Sequence, residues 1–273
     1  MSRQLPFLAS TAPVAFAHRG FSKDGLENSL AAFRAAVALG FDYLETDVHT
    51  TADGVLLVFH DARLEQITDG TGRISALTAE RVAQARISGR ETIPTFAELV
   101  SALPGVRLNL DVKDRGSVQT LAAAIEESGL HDRVCVASFS DRRRRAVLKR
   151  LSRPTASSAG VVSLAAFICL GPWLPRPLLR RILHDVDCLQ VPVRYRSIHL
   201  VTPKSVSRAH ELGLKIHVWT IDDPRRMHAL FDLGVDGLMT DRADLLAEVM
   251  RERGYWPRPG PGPGAPGSGD RAG

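Results

Sequence analysis

The chain has 273 residues, of which 44% are hydrophobic and 24% charged, with a net charge of +5 at neutral pH. That composition suits a single folded domain with one large core, and it excludes a disordered or fibrous chain. The positive charge rests mainly on arginine without interleaved aromatics, and no recognised module accompanies it, which argues against a nucleic-acid partner.

The first apolar run, PVAFA, reads as a strand closing on His18 and Arg19. Arg3 followed by an apolar stretch ending in Ala15, Phe16 and Ala17 has the look of a secretion signal. Cleavage there would remove the strand leading into His18, so we read a strand. A helical pattern from Glu27 to Leu39 closes at Gly40, a C-cap position. DYLETDV and VLLVF follow as strands, with Asp53 and Gly54 placed as a hairpin turn between them. Residues 61–92 weaken into turns and a short helix, an insertion after the second strand.

Alternation then resumes through FAELVSAL, VRLNLDV, VQTLAAAIEESG, RVCVASF and a helix from Asp141, to an apolar stretch near 154–162 read as the fifth strand. CLQVPV, PKSVSRAHELG, LKIHVWT, PRRMHALFDLG, VDGLMT and ADLLAEVMRERG complete it. Strands that alternate with helices favour a parallel sheet, and seven or eight such units fit a TM-free (β/α)8 barrel, the TIM barrel, spanning residues 1–256. A doubly wound open sheet is the alternative; no glycine-rich fingerprint follows the first strand. Residues 257–273 are too rich in Pro and Gly to bury a core and read as a disordered tail.

Some features read as ordinary structure. The run Arg142 to Arg145 looks like the solvated start of a helix rather than an anion-binding patch. Cys135, Cys169 and Cys188 sit in apolar contexts and look like core thiols, which fits a reducing, cytoplasmic compartment. His49, His131, His184, His199, His210, His217 and His228 take structural roles, and Asp241 caps the last helix.

The remaining polar groups stand at strand ends, which in a barrel line one mouth. Glu45 and Asp47 are two residues apart on one strand and face the same way, while Thr46 faces away. Asp111 and Lys113 repeat that spacing on a later strand. Converging carboxylates require a bound divalent cation or raised pKa values, and all-oxygen ligation favours Mg²⁺ or Ca²⁺ over zinc. His18 and His60 can exchange protons near neutrality.

The ordered series AHRG, LENSLAAF, LETDVHTTADGVLLVFHDARLEQITDGTG, NLDVK, VWTID and GVDGLMTDR resembles the glycerophosphodiester phosphodiesterase family, from about Val14 to about Met250. The resemblance implies a barrel enzyme that uses a divalent metal and two histidines to hydrolyse glycerol phosphodiesters to glycerol phosphate and an alcohol. It implies His18 and His60 as the catalytic pair and Glu45, Asp47 and Asp111 as metal ligands; apart from the resemblance we take His18 as base and His60 as acid, an assignment the sequence leaves open to the reverse. Arg19 and Lys113 would contact phosphate, Trp219 would line the pocket, and Glu27 would hold the loop after the first strand. One departure is that the family usually has Glu where this chain has Asp111, a shorter arm toward the metal.

Residues 161–183, VVSLAAFICLGPWLPRPLLRRIL, follow the expected fifth strand and combine apolar bulk with Arg176, Arg180 and Arg181. They read either as an ordinary barrel helix or as an apolar lip for an acyl chain or a peripheral membrane contact. Three function classes follow: hydrolysis of soluble glycerophosphodiesters, lysophospholipase D action on lysophospholipids, and a non-catalytic binding barrel. The last is disfavoured by the presence of both histidines and all three carboxylates.

Overall fold

The computed structural model describes residues 5–256. Eight parallel strands form a ring: β1 (Val14–His18), β2 (Tyr43–Thr50), β3 (Arg107–Val112), β4 (Val134–Ala137), β5 (Ala156–Ser157), β6 (Cys188–Pro192), β7 (Lys215–Trp219) and β8 (Gly237–Thr240). They pair in the order β5-β4-β3-β2-β1-β8-β7-β6. A single bridge between Ser158 and Cys188 joins the two ends of that path, so the barrel is nearly closed. Around it run α1 (Leu30–Leu39), α2 (Phe96–Ala102), α3 (Ser117–Glu127), α4 (Asp141–Leu148), α5 (Val161–Leu170), α6 (Arg176–Ile182), α7 (Pro203–Glu211), α8 (Pro224–Asp232) and α9 (Ala243–Glu252). Among the described residues no helix is long and apolar enough to cross a membrane. The Pro/Gly-rich stretch 257–273 lies outside the described residues.

The period of two along each strand divides the side chains between two cores. Ala15, Ala17, Leu44, Val48, Leu108 and Leu110 belong to the large core that includes helix residues such as Phe33, Leu121 and Leu246. Phe16, Tyr43, Cys135, Cys188 and Met239 form a second cluster with Phe7. Phe7, in the short turn Pro6–Leu8, packs edge-on against Tyr43 at 5.1 Å, and the Tyr43 hydroxyl donates to the Phe7 carbonyl at 2.6 Å. This plug closes the N-terminal end of the barrel and leaves the C-terminal end as the mouth.

Several sequence expectations shift. The first helix starts at Leu30, not Glu27, because Asn28 adopts a left-handed φ of 59° and the Ser29 hydroxyl caps the helix by accepting from the Ala32 amide. Gly40 caps its other end at φ 109°, as the pattern indicates. VLLVF supplies only Leu56–Val58, which pairs antiparallel with β2 and is not a barrel strand. Gly54, at φ 85°, lies in the connecting turn. The excursion from the barrel thus begins beyond Thr50, and Leu57, Phe59, Leu64, Ile74, Val82 and Ile87 give it a core of its own.

The fifth strand shrinks to Ala156–Ser157, since Gly160 already leads into α5. The run Arg142 to Arg145 is not uniformly solvated. Asp141 and Arg144, one helical turn apart, face inward, and Arg144 is fully buried. Its guanidinium donates to Asp141 at 3.0 Å, the Ser157 hydroxyl at 2.9 Å, and the Asp185 carbonyl and carboxylate at 2.7 and 3.1 Å. Cys135 and Cys188 are buried as expected, but Cys169 is exposed because it lies on the outer face of α5.

Of the two readings of residues 161–183, the ordinary barrel helix fits most of the segment, and Val161 and Val162 are the exposed apolar residues at its mouth end. A helix that follows a barrel strand starts at the mouth and descends along the wall. Accordingly Phe167, Leu179 and Leu183 pack into the core, while Arg208 of α7 holds the turn below α5 by donating to the carbonyls of Gly171 and Leu174. Trp173, at 83% exposure, therefore sits on the flank.

Candidate active site

His18 ends β1, and the next two residues reverse the chain with left-handed φ values of 56° for Arg19 and 85° for Gly20. A Cβ at Gly20 would lie 2.7 Å from the Ala32 backbone carbon, so the turn admits only glycine. The Arg19 amide donates to the Glu45 carbonyl at 2.9 Å, which ties this turn to β2. Its guanidinium donates to Glu27 at 2.8 Å and lies 3.4 Å from Asp47, so Glu27 does hold the loop. Thr46 faces away from its neighbours and donates to buried Asn28 at 2.6 Å.

Register sets the rest. His18 pairs with Glu45, Glu45 with Asn109, and Asp47 with Asp111, so the carboxylates rise in two layers on adjacent strands. Lys113 sits between Asp47 and Asp111 at 2.8 Å from each. His60 arrives by the hairpin: the Phe59 amide donates to the Asp47 carbonyl at 3.0 Å, which brings the following imidazole back to the same mouth. Trp219, at the end of β7, is half-buried and packs edge-on against Phe139 at 6.2 Å. The structure thus gathers all eight expected residues, His18, Arg19, Glu45, Asp47, His60, Asp111, Lys113 and Trp219, at one end of the barrel.

Both imidazoles are tied through Nδ1 to a carboxylate. His18 Nδ1 is 2.6 Å from Asp241, and His60 Nδ1 is 2.9 Å from Asp61. That leaves Nε2 of each ring free to point elsewhere, and for His18 it lies 3.6 Å from Glu45. Asp241 is therefore no helix cap: the last helix begins with no side-chain cap bond, and Asp241 follows the end of β8 with its carboxylate on His18. His49, expected to be structural, is buried and bridges Asp114 at 2.8 Å and the His60 carbonyl at 3.1 Å. It therefore fixes the backbone that carries His60.

The electrostatics are unbalanced. Glu45, Asp47 and Asp111 are all buried, and each keeps one carboxylate oxygen without a hydrogen-bond partner. Burial, with Asp47 beside it, pushes the Glu45 carboxyl up to about 8. Burial also raises Asp111, against the pull of Lys113. Burial opposes charge on Lys113 and His18, but Asp47 and Asp111 raise the ammonium, and Glu45 and Asp241 raise the imidazole. No three His, Cys, Asp or Glu side chains among the described residues stand at the spacing of a formed metal centre. The donor set still fits a hard cation, because three buried carboxylate oxygens that accept no hydrogen bond are what such an ion satisfies.

Residues 18–245 match the Glycerophosphoryl diester phosphodiesterase family. The chain is 41% identical over 251 residues to a Mycobacterium tuberculosis protein named "Probable glycerophosphodiester phosphodiesterase 2", covering 92% of this chain and 95% of that one. Among solved structures it is similar to a glycerophosphodiester phosphodiesterase from Agrobacterium tumefaciens, with a TM-score of 0.73 and 23% identity over 88% of this chain and 99% of that chain. It is also similar to an Oleispira antarctica phosphodiesterase solved with its product sn-glycerol-3-phosphate, with a TM-score of 0.71 and 25% identity over 89% of this chain and 99% of that chain. Fold, ordered motifs and relatives agree: the chain belongs to the glycerophosphoryl diester phosphodiesterase family and is an enzyme of that class.

Proposed function

We propose that the protein hydrolyses glycerophosphodiesters to glycerol 3-phosphate and an alcohol, with a divalent cation, Mg²⁺ or Ca²⁺, and with His18 and His60 as the proton-transfer pair. The observation that carries this is the convergence of two Nδ1-anchored imidazoles with three buried carboxylates and two cationic side chains at one mouth.

Glu45, Asp47 and Asp111 would hold the cation, which when bound neutralises charge on the phosphate oxygens and offsets the repulsion among the three carboxylates. Asp111 stands where the family resemblance leads one to expect the longer Glu, so its share in holding the ion is smaller than that of Glu45 and Asp47. Arg19 and Lys113 add positive charge for the non-bridging oxygens. His18, whose proton affinity is raised by Glu45 and Asp241, takes the proton from the attacking oxygen. The P–O bond to the alcohol breaks, and His60 supplies the proton that the leaving oxygen needs. The attacking oxygen belongs to water or to the neighbouring glycerol hydroxyl, in which case a cyclic phosphate precedes the product. A substrate lacking that hydroxyl separates the routes.

The test is release of glycerol 3-phosphate from a panel of glycerophosphodiesters, with and without chelator. Turnover that survives exhaustive chelation would remove the cation, and no release from any diester would remove the activity. A second reading, lysophospholipase D action, is favoured by Phe139, which is 60% exposed beside Trp219 and could seat an acyl chain. Strong preference for glycerophosphocholine over lysophosphatidylcholine would eliminate it.

A further inference from the structure

The loops after β4, β5 and β6 carry apolar side chains into solvent at the mouth. Phe139 is 60% exposed, Val161 56%, Val162 70%, Tyr195 59% and Ile198 54%. These loops are neighbours: the Val161 amide donates to the Phe139 carbonyl at 2.9 Å, and the Ala159 amide donates to the Cys188 carbonyl at 2.9 Å where β5 meets β6. Tyr195 and Ile198 face each other across a two-residue hairpin, Arg194–Tyr195 with Ile198–His199.

The same arc is basic. Arg142, Arg194 and Arg196 are exposed, and none of them has an ion pair among the described residues; Arg196 lies over the Tyr195 ring at 5.6 Å. Its acidic residue, Asp141, is buried and bonded to Arg144 and Ser163. The adjoining arc, after β7 and β8, presents Asp222, Asp223 and Asp241, with Arg225 and Arg226 beside the first two. Apolar tips on separate loops, flanked by arginines that make no ion pair among the described residues, suit a soft interface that takes each tip singly. The charge is complementary to acidic headgroups.

We propose that the arc of the mouth above β4, β5 and β6 docks the protein on a bilayer containing anionic phospholipid, with Val162, Tyr195 and Ile198 entering the interface and Arg142, Arg194 and Arg196 meeting the headgroups. The mouth then opens toward the lipid surface, and the flank at Trp173 faces away from it. This partner goes beyond the hydrolytic reading and does not depend on it.

Flotation of the full chain with vesicles tests it without any turnover. Vesicles of phosphatidylcholine mixed with phosphatidylglycerol should carry the protein up, and vesicles of phosphatidylcholine alone should not. Each of R194E and R196E should weaken binding by about five-fold or more, the loss expected for one basic residue at a charged surface. The double variant V162E/I198E should release the protein, while its circular dichroism and its rate on a soluble diester stay as in the parent. Trp173→Glu should leave binding intact. Failure of the parent to bind anionic vesicles, equal binding to neutral ones, or sensitivity to Trp173→Glu and not to the rim variants would each overturn the proposal. Because flotation is read independently of hydrolysis, an inactive protein that still floats speaks only against the diesterase reading.

Discussion

The two histidine pairs at the mouth are built in opposite ways. The His18 ring is the drier of the two at 19% exposure, and its partner Asp241, at 58%, stands in water. His60 is wetter at 33%, and its partner Asp61 is drier at 13%. One pair is joined across 223 residues by the closing of the barrel, and the other by adjacent residues in a loop. Each couples one member that exchanges with solvent to one that holds direction, but the anchored member is the ring in one pair and the carboxylate in the other.

The sharpest way to break that comparison is to remove either ring. His18→Ala and His60→Ala should each lower kcat by about 10²- to 10⁴-fold with unchanged circular dichroism. A diester with a p-nitrophenol leaving group, which departs without a proton, should recover most of the loss in His60→Ala and little in His18→Ala. Equal recovery in both would erase the division of labour.

Removing the charge behind each ring comes next. Asp61→Asn should cost about ten- to hundred-fold in kcat with KM nearly constant, the range typical of a lost orienting carboxylate. Asp241→Asn should cost less, since water reaches that side chain and replaces part of its role. The reverse order would show that solvent exposure does not set an anchor's worth here.

The smallest expected effect is on stability. Glu45 and His18 both have raised pKa values in the folded chain, so they hold protons that the unfolded chain has released. Their contribution is complete below the unfolded values, 4.5 for Glu45 and 6.5 for His18, and is lost as pH rises through the folded ones, about 8 for Glu45. The Tm of cation-free protein should therefore fall by several degrees from about pH 5 to about pH 8, in line with the usual shift for a loss of about 1 to 2 kcal/mol. Glu45→Gln should flatten that slope and displace the metal titration, and added Mg²⁺ or Ca²⁺ should stabilise most at the alkaline end. A wild-type Tm that ignores pH would show that Glu45 does not carry the extra proton.

What the sequence discloses follows from how local its signals are. Strand parity is local, so Glu45 with Asp47 and Asp111 with Lys113 are placed correctly by counting. The same counting, carried one residue past the end of β8, puts Asp241 on the side of Met239, a signal that was present but outweighed by the proximity of the last helix. Arg144 was less visible, because its partners Asp185 and Ser157 come from other elements and a run of four arginines looks like surface. The course of VLLVF was ambiguous for a similar reason, since a short apolar run does not reveal whether it continues the ring or folds back on its predecessor. Residues 161–183 show the same limit: hydrophobic content indicates burial or contact, but only the descent of α5 along the wall distinguishes Val162 from Trp173.

The two-residue β5 makes the ring a hoop with one short stave. Ladder bonds are scarce where it meets β6, and the guanidinium of Arg144 rivets the gap by gripping Ser157 on one side and Asp185 on the other. Arg144→Ala removes that rivet while Asp185 keeps Arg145 and Asp141 keeps Ser163, so the loss is that of hydrogen bonds made by a charged group, about 1.5 to 3 kcal/mol. The hoop should then spring at this joint first, with amides of residues 156–159 exchanging hydrogen long before those of β1, β2 and β3.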